Sequence, residues 1–184
     1  MILRAHVDNH GGVIASADSS LLNYGRDAYA YCWPRDAVYV LWPLLRLGYT
    51  DEILRFFDFA RRGMHPHGYL AHKYRADGAI GSSWHPYLHH TGEVAPPIQE
   101  DETAAVVFLF AQFYQTHESP RLIQEYYDSM IKPMANFMAE YRYEDTLLPK
   151  HSYDLWEERH MTSTYTTAIT YAALQAAADL AEVA

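Results

Sequence analysis

The sequence predicts an all-α fold, part of an α/α toroid, on three observations. Apolar residues recur at helical spacing in five segments. Short turns join these segments in pairs. Long connections rich in aromatic and polar residues lie on the opposite side, which suits a toroid with one functional rim; a plain helical bundle is the simpler alternative.

The opening "MILRAHVDNHGGVIAS" reads as a helix tail, a turn at Gly11-Gly12 and a short β-branched strand at Val13-Ile14. From Arg35 to Leu47 the apolar positions Val38, Leu41, Trp42 and Leu45 form one helical face, and Gly48 closes it as a C-terminal cap would. Thr50 or Asp51 starts a second helix to about Arg62, with Ile53, Leu54, Phe57 and Ala60 on one side. Residues 63–100 differ: Gly, Pro and His are dense, and "YLAHKYRADGAIG" alternates around Asp77-Gly78, which predicts a hairpin in a long excursion. Such long irregular connections usually carry function. Helical patterning returns over 101–117, 120–141 and 162–184.

With 184 residues, 49% of them hydrophobic, the chain can bury a core of one domain's size. The formal net charge is −9 and lysine is confined to Lys73, Lys132 and Lys150, so a nucleic-acid partner is excluded, because phosphates need a basic face. Sixteen Tyr and four Trp suit a partly wet cleft for a neutral, hydroxyl-rich ligand. No apolar run reaches the roughly 20 residues of a membrane span. Cys32 is the single cysteine, and no leader pattern stands at the N-terminus, so a cytoplasmic location is the default; a truncated N-terminus would leave secretion open. Cys32 reads as a buried structural thiol, with no base near it in sequence.

Three clusters, "YAYCWPRDA" (29–37), "PIQEDETA" (97–104) and "YDLWEE" (153–158), are expected at helix N-termini on one rim. Acidic residues there stabilise unpaired N–H groups and need no function. Yet each cluster mixes a carboxylate with aromatics or an amide. A carboxyl beside tryptophan is the setting that keeps an acid protonated near neutral pH. Glycoside cleavage needs such an acid, together with a second carboxylate that activates water or attacks the sugar.

The three motifs, in this order and at these separations, resemble glycoside hydrolase family 15, the glucoamylase family, and the resemblance runs from about Leu3 to the last residue. It implies that the chain is about half of a twelve-helix (α/α)6 toroid, truncated at both ends. It also implies a glycosidase that releases terminal glucose from α-glucans with inversion. The glutamate after the tryptophan of "YDLWEE" matches the family's general acid, which makes Glu157 the expected proton donor. Asp154, Trp156 and Glu158 join the expected substrate-binding set beside it. By the same resemblance Arg35 and Asp36 hold the nonreducing terminal glucose, Tyr29 lies against the ring where positive charge develops, and Trp33 packs behind it. Gln99 and Asp101 are expected as supporting residues, although a helix cap explains their stretch equally well.

The family's general base is a glutamate far C-terminal of "YDLWEE". The chain ends 26 residues after Glu158, so the base is not expected in it. A missing C-terminal half or a partner chain would complete the barrel. "GEVAPPIQ" lacks the tryptophan that many relatives carry there, although Trp84 stands upstream; starch-like, dextran-like and trehalose-like substrates all stay open. His65, His67, His72, His85, His89 and His90 crowd the excursion, but without a recognisable ligand spacing. No metal ligand and no cofactor is therefore expected. Tyr69, Tyr74, Trp84 and Tyr87 either line an outer sugar site or pack the hairpin. The alternatives to an enzyme are a non-catalytic glucan-binding protein and an inactive truncated fragment.

Overall fold

The computed structural model describes residues 2–17, 29–83, 85–90 and 92–184; the expectation for Trp84 lies outside them. A short helix, α1 (Ile2–Ala5), is followed by the long helices α2 (Pro34–Arg46), α3 (Thr50–Gly63) and α4 (Glu100–His117). Then come α5 (Pro120–Tyr126), a π-helical turn (Tyr127–Ile131) and α6 (Lys132–Glu140). Two short strands, β1 (Ser152–Tyr153) and β2 (His160–Met161), precede the last helix, α7 (Thr164–Ala181). The chain is mostly α, as its periodicity predicts.

Local chemistry sets the boundaries. Pro34 opens α2 where its missing N–H costs no hydrogen bond. Gly48, at φ +82°, turns the chain after α2. Ser163 caps α7 by accepting a 3.0 Å hydrogen bond from the Thr166 N–H. The single helix expected over 120–141 is interrupted. Pro133 has no N–H for an α-helical bond and its ring crowds the preceding turn, and the chain widens into the π turn just before it. At the N-terminus the expected strand at Val13-Ile14 shrinks to one bridge, Val7 to Val13. The tight turn closed by Asp8 N–H to Gly12 carbonyl (2.7 Å) leaves no room for a ladder.

Helix α4 is the centre of the molecule, flanked by α2 and α7, with α3 against α2 and α4, and α6 against α4 and α7. Its apolar residues are buried nearly all round, including Val106, Val107, Leu109, Phe110 and Phe113. Phe57 of α3 meets Phe110, Phe113 and Tyr126 edge-on at centroid distances of 5.1, 5.7 and 5.9 Å. Burying each such ring contributes about 1.5–3 kcal/mol. No helix among the described residues is long and apolar enough to cross a membrane.

The excursion between α3 and α4 forms the expected hairpin-like turn, held by isolated bridges. Arg75 N–H donates to Ala79 carbonyl at 2.8 Å, and Gly78 supplies φ +87° at the corner. Tyr74 is the hub: it bridges to Ile80 on one side and to Cys32 on the other. Its hydroxyl donates to the Gly63 carbonyl at 2.9 Å and accepts from the Ala71 N–H at 2.7 Å. The Cys32–Tyr74 pairing lays "YAYCW" beside "HKY", and so brings Trp33 next to His72.

Candidate active site

Two of the three motifs sit at helix starts, before and within the first turns of α2 and α4. The third does not. "YDLWEE" begins in β1 and forms the loop between β1 and β2, which pair Ser152 with Met161 and Tyr153 with His160. Asp154 explains the difference. Its side chain accepts hydrogen bonds from the N–H groups of Glu158 (2.9 Å) and Arg159 (3.3 Å), as a helix cap would, but its own N–H donates to the Arg159 carbonyl (2.9 Å) and closes a hairpin. Within this loop Glu157 adopts φ +60°, a left-handed conformation uncommon for a residue with a Cβ.

That conformation directs the Glu157 carboxylate inward, where it is 17% exposed. The Trp33 indole N–H donates to Glu157 Oε1 at 3.1 Å, with His72 Nε2 also 3.2 Å from the same donor. His72 Nε2 lies 2.9 Å from Glu157 Oε1, and its Nδ1 lies 3.0 Å from Ser83 Oγ. A neutral His72 with its proton on Nε2 donates to the Glu157 carboxylate, while the Ser83 hydroxyl donates to Nδ1. When Glu157 is protonated the tautomer reverses, because a serine hydroxyl either gives or takes a hydrogen bond. Burial pushes the Glu157 carboxyl up, but the hydrogen bonds from His72 and from the Trp33 indole outweigh it and hold the group below the usual glutamate range.

An aromatic stack backs this contact. His72 stacks on His85 at 3.9 Å, and His85 on Tyr153 at 3.9 Å. Burial and the neighbouring His72 push His85 down to about 3, so its ring is neutral. On the outer side Tyr29 stacks on Trp33 at 5.8 Å and is itself exposed. The buried Lys73 ammonium lies 4.4 Å from the centre of the Tyr31 ring and 5.3 Å from that of Trp33.

A second knot joins all three motifs beneath the first. Arg35, buried at the start of α2, donates from Nη1 to Gln99 Oε1 and to Asp101 Oδ2, both at 2.9 Å. Gln99 in turn donates from Nε2 to the Asp154 carbonyl at 2.7 Å. Gln99 precedes the first turn of α4 but makes no side-chain cap, so its amide is spent on holding the Glu157 loop against Arg35. Ser152 takes the capping role, accepting from the Glu100 N–H at 3.3 Å. Glu100 and Glu102 are fully buried, and their carboxyl oxygens have no hydrogen-bond partner among the described residues. Burial pushes Glu100 up to about 9, so it is a neutral acid at pH 7, and burial raises Glu102 well above the ordinary range.

Asp36 is half-buried on the exposed side of α2's first turn, and burial raises its carboxyl. Trp156 and Glu158, named with the substrate-binding set, point to solvent; Trp156 is 77% exposed. A cavity of ≈ 220 Å³ includes His72, Lys73, Ser83 and Tyr87 in its wall but not Glu157, Trp33 or Asp36, so it lies beside the carboxylate and not over it. His72, His85 and Ser83 were not singled out for this role from the sequence. Their one signal in the sequence is their place in a histidine-rich excursion.

The family model of glycosyl hydrolases family 15 matches residues 1–184. The chain belongs to this family. It is also similar to a protein described as an uncharacterized glycosyl hydrolase from Methanocaldococcus jannaschii, at 25% identity over 182 residues. That alignment takes in 99% of this chain and 26% of the relative, so the family 15 chain spans about a quarter of the length of the curated relative it matches. No solved structure matches it.

Proposed function

We propose that this family 15 chain carries the acid half of an exo-acting α-glucosidase site of glucoamylase type. The observation that supports this is the Glu157 carboxylate, fixed between the Trp33 indole N–H and His72, above the Arg35–Gln99–Asp154 contacts that join all three motifs. In the reaction Glu157 gives its proton to the glycosidic oxygen as the bond from that oxygen to the anomeric carbon breaks. A water molecule attacks that carbon from the opposite face and loses its proton to a second carboxylate, which yields inversion. That base would stand roughly 6.5–9.5 Å from Glu157 and come from outside the three motifs.

The surrounding residues divide the remaining work. Asp36 makes no side-chain hydrogen bond among the described residues and so can accept from the hydroxyls of the terminal sugar. Arg35, its expected companion, is committed to Gln99 and Asp101, which leaves Asp36 the stronger sugar ligand of the two. Tyr29 and Trp33 offer stacked aromatic surface for the ring. Glu157 must hold a proton to act. The reaction is therefore favoured at acid pH, and a bound sugar that expels water strengthens the burial effect that raises its carboxyl. The substrate is an α-linked glucan or oligosaccharide. The test is Glu157→Gln in a protein that joins this chain to a half supplying the base. Turnover of maltose should fall by about 10²–10⁴-fold, and wild-type turnover would remove Glu157 from the mechanism.

A further inference from the structure

Away from Glu157, the side chains of Glu93, His151 and His160 each offer one ligand atom, and these atoms all lie within 4.8 Å of one another. His151 Nδ1 is 3.8 Å and His160 Nδ1 3.9 Å from Glu93 Oε2. These separations are too long for hydrogen bonds. They are close to what a tetrahedral ion demands: ligands about 2.0–2.1 Å from zinc stand roughly 3.4 Å from one another. Two imidazoles and one carboxylate form a donor set that zinc and its transition-metal neighbours take readily.

The scaffold holds these donors from two directions. His160 sits in β2 opposite Tyr153, its side chain 8% exposed and its ring stacked on His89 at 3.7 Å. His151, just before β1, stands edge-on to His160 at 5.7 Å and 88°. Glu93 comes from a tight turn of the excursion, in which the His89 N–H donates to the Glu93 carbonyl and the Gly92 N–H to the His89 carbonyl, both at 2.9 Å. An independent observation points to a missing ligand. Nε2 of His89, a residue only 4% exposed whose ring stacks on His160, is buried without a hydrogen-bond partner among the described residues, and a water held by an ion is the kind of group that satisfies it.

We propose that Glu93, His151 and His160 bind a divalent transition-metal ion of zinc type, with the remaining position left to water. The ion ties the 89–93 turn to both sides of the hairpin that presents Glu157. Its role is to brace that loop, since the ligands belong to the base of the hairpin while Glu157 stands in the loop at its tip. The neighbouring trio His72, His85 and Glu157 also has metal-ligating groups, but His72 and Glu157 are already within hydrogen-bond distance at 2.9 Å.

The test uses the whole chain, made without a histidine tag and stripped with a chelator. It is titrated with zinc chloride by calorimetry and with cobalt chloride by visible absorption. The expected result is one ion per chain, with d–d bands of low-coordinate cobalt, and binding weakened by roughly 10–100-fold or more in Glu93→Gln and in His151→Ala. Both positions are partly exposed, and circular dichroism verifies that each variant is folded. Absence of stoichiometric binding, or binding unchanged in both variants, overturns the proposal. So does binding that is lost in His85→Ala and kept in His151→Ala, which assigns the ion to the Glu157 trio.

Discussion

His72 Nε2 lies 2.9 Å from Glu157 Oε1, and this contact governs the pH at which Glu157 holds a proton. Burial alone would raise the carboxyl, but the imidazole reverses the sign. Removing His72 therefore moves the titration of Glu157 upward. The measurement is a carbon-13 NMR titration of the glutamate carboxyls in the chain, with the Glu157 resonance identified by its loss in Glu157→Gln. In wild type the midpoint lies below that of ordinary glutamates, and in His72→Ala it moves to higher pH. An unchanged midpoint would mean that His72 only packs. The linkage has a definite sign as well. A depressed carboxyl contributes stability that is present above its unfolded-state pKa and is lost as pH falls through its folded value.

Asp101 faces the buried guanidinium of Arg35 at 2.9 Å and is itself fully buried. Glu102 is 3.8 Å away without a hydrogen bond and burial raises its carboxyl, so Asp101 is the closer partner of the Arg35 charge. Asp101→Ala leaves that charge unpaired and should destabilise the fold by about 3–5 kcal/mol in urea denaturation. A loss under about 1 kcal/mol would show that the pair is not closed in solution.

Glu100 sets an opposite pH trend. Its folded pKa of about 9, against 4.5 ordinarily, means that the folded chain keeps a proton between those values that the unfolded chain has released. Its contribution is full below about pH 4.5 and declines as pH rises toward 9, by up to about 1.4 kcal/mol per pH unit. Glu100→Gln should make the fall in stability between pH 5 and 9 shallower. Glu102 contributes in the same direction, so the slope is reduced and not abolished. Equal slopes in the two proteins would contradict the neutral, buried state of Glu100.

The outer face of α7 carries Tyr171, 71% exposed, on a helix whose only charged residue is Asp179. An apolar helix face of this kind favours association. Sedimentation velocity of the chain should show self-association, relieved by Tyr171→Lys; a monodisperse monomer at every concentration would contradict it.

The helices were legible because their apolar residues keep the 3.6-residue period, and Pro34, Gly48 and Ser163 mark ends whose chemistry is local. The site was legible only in part. Asp154 has the look of a helix cap, and it does accept two N–H groups, but the turn it closes is a hairpin, a choice made by pairing with β2. The role of Gln99 depends on Arg35 and the Asp154 carbonyl arriving from 64 and 55 residues away. His72 reaches Glu157 because Cys32 pairs with Tyr74, a long-range bridge that no local pattern encodes. The grouping of Glu93, His151 and His160 was hidden for the same reason: ligand spacing in sequence detects sites built on one element, and this one is built across two loops.

The central claim is that Glu157 protonates the leaving oxygen. The most direct measurement compares Glu157→Gln with wild type on two substrates, in a protein that joins this chain to a half supplying the base. Maltose needs a proton at its leaving oxygen, whereas α-glucosyl fluoride loses fluoride without one. The account predicts that kcat on maltose falls by about 10²–10⁴-fold while kcat on the fluoride stays near wild type. Equal loss on both substrates, or no loss on maltose, would contradict it.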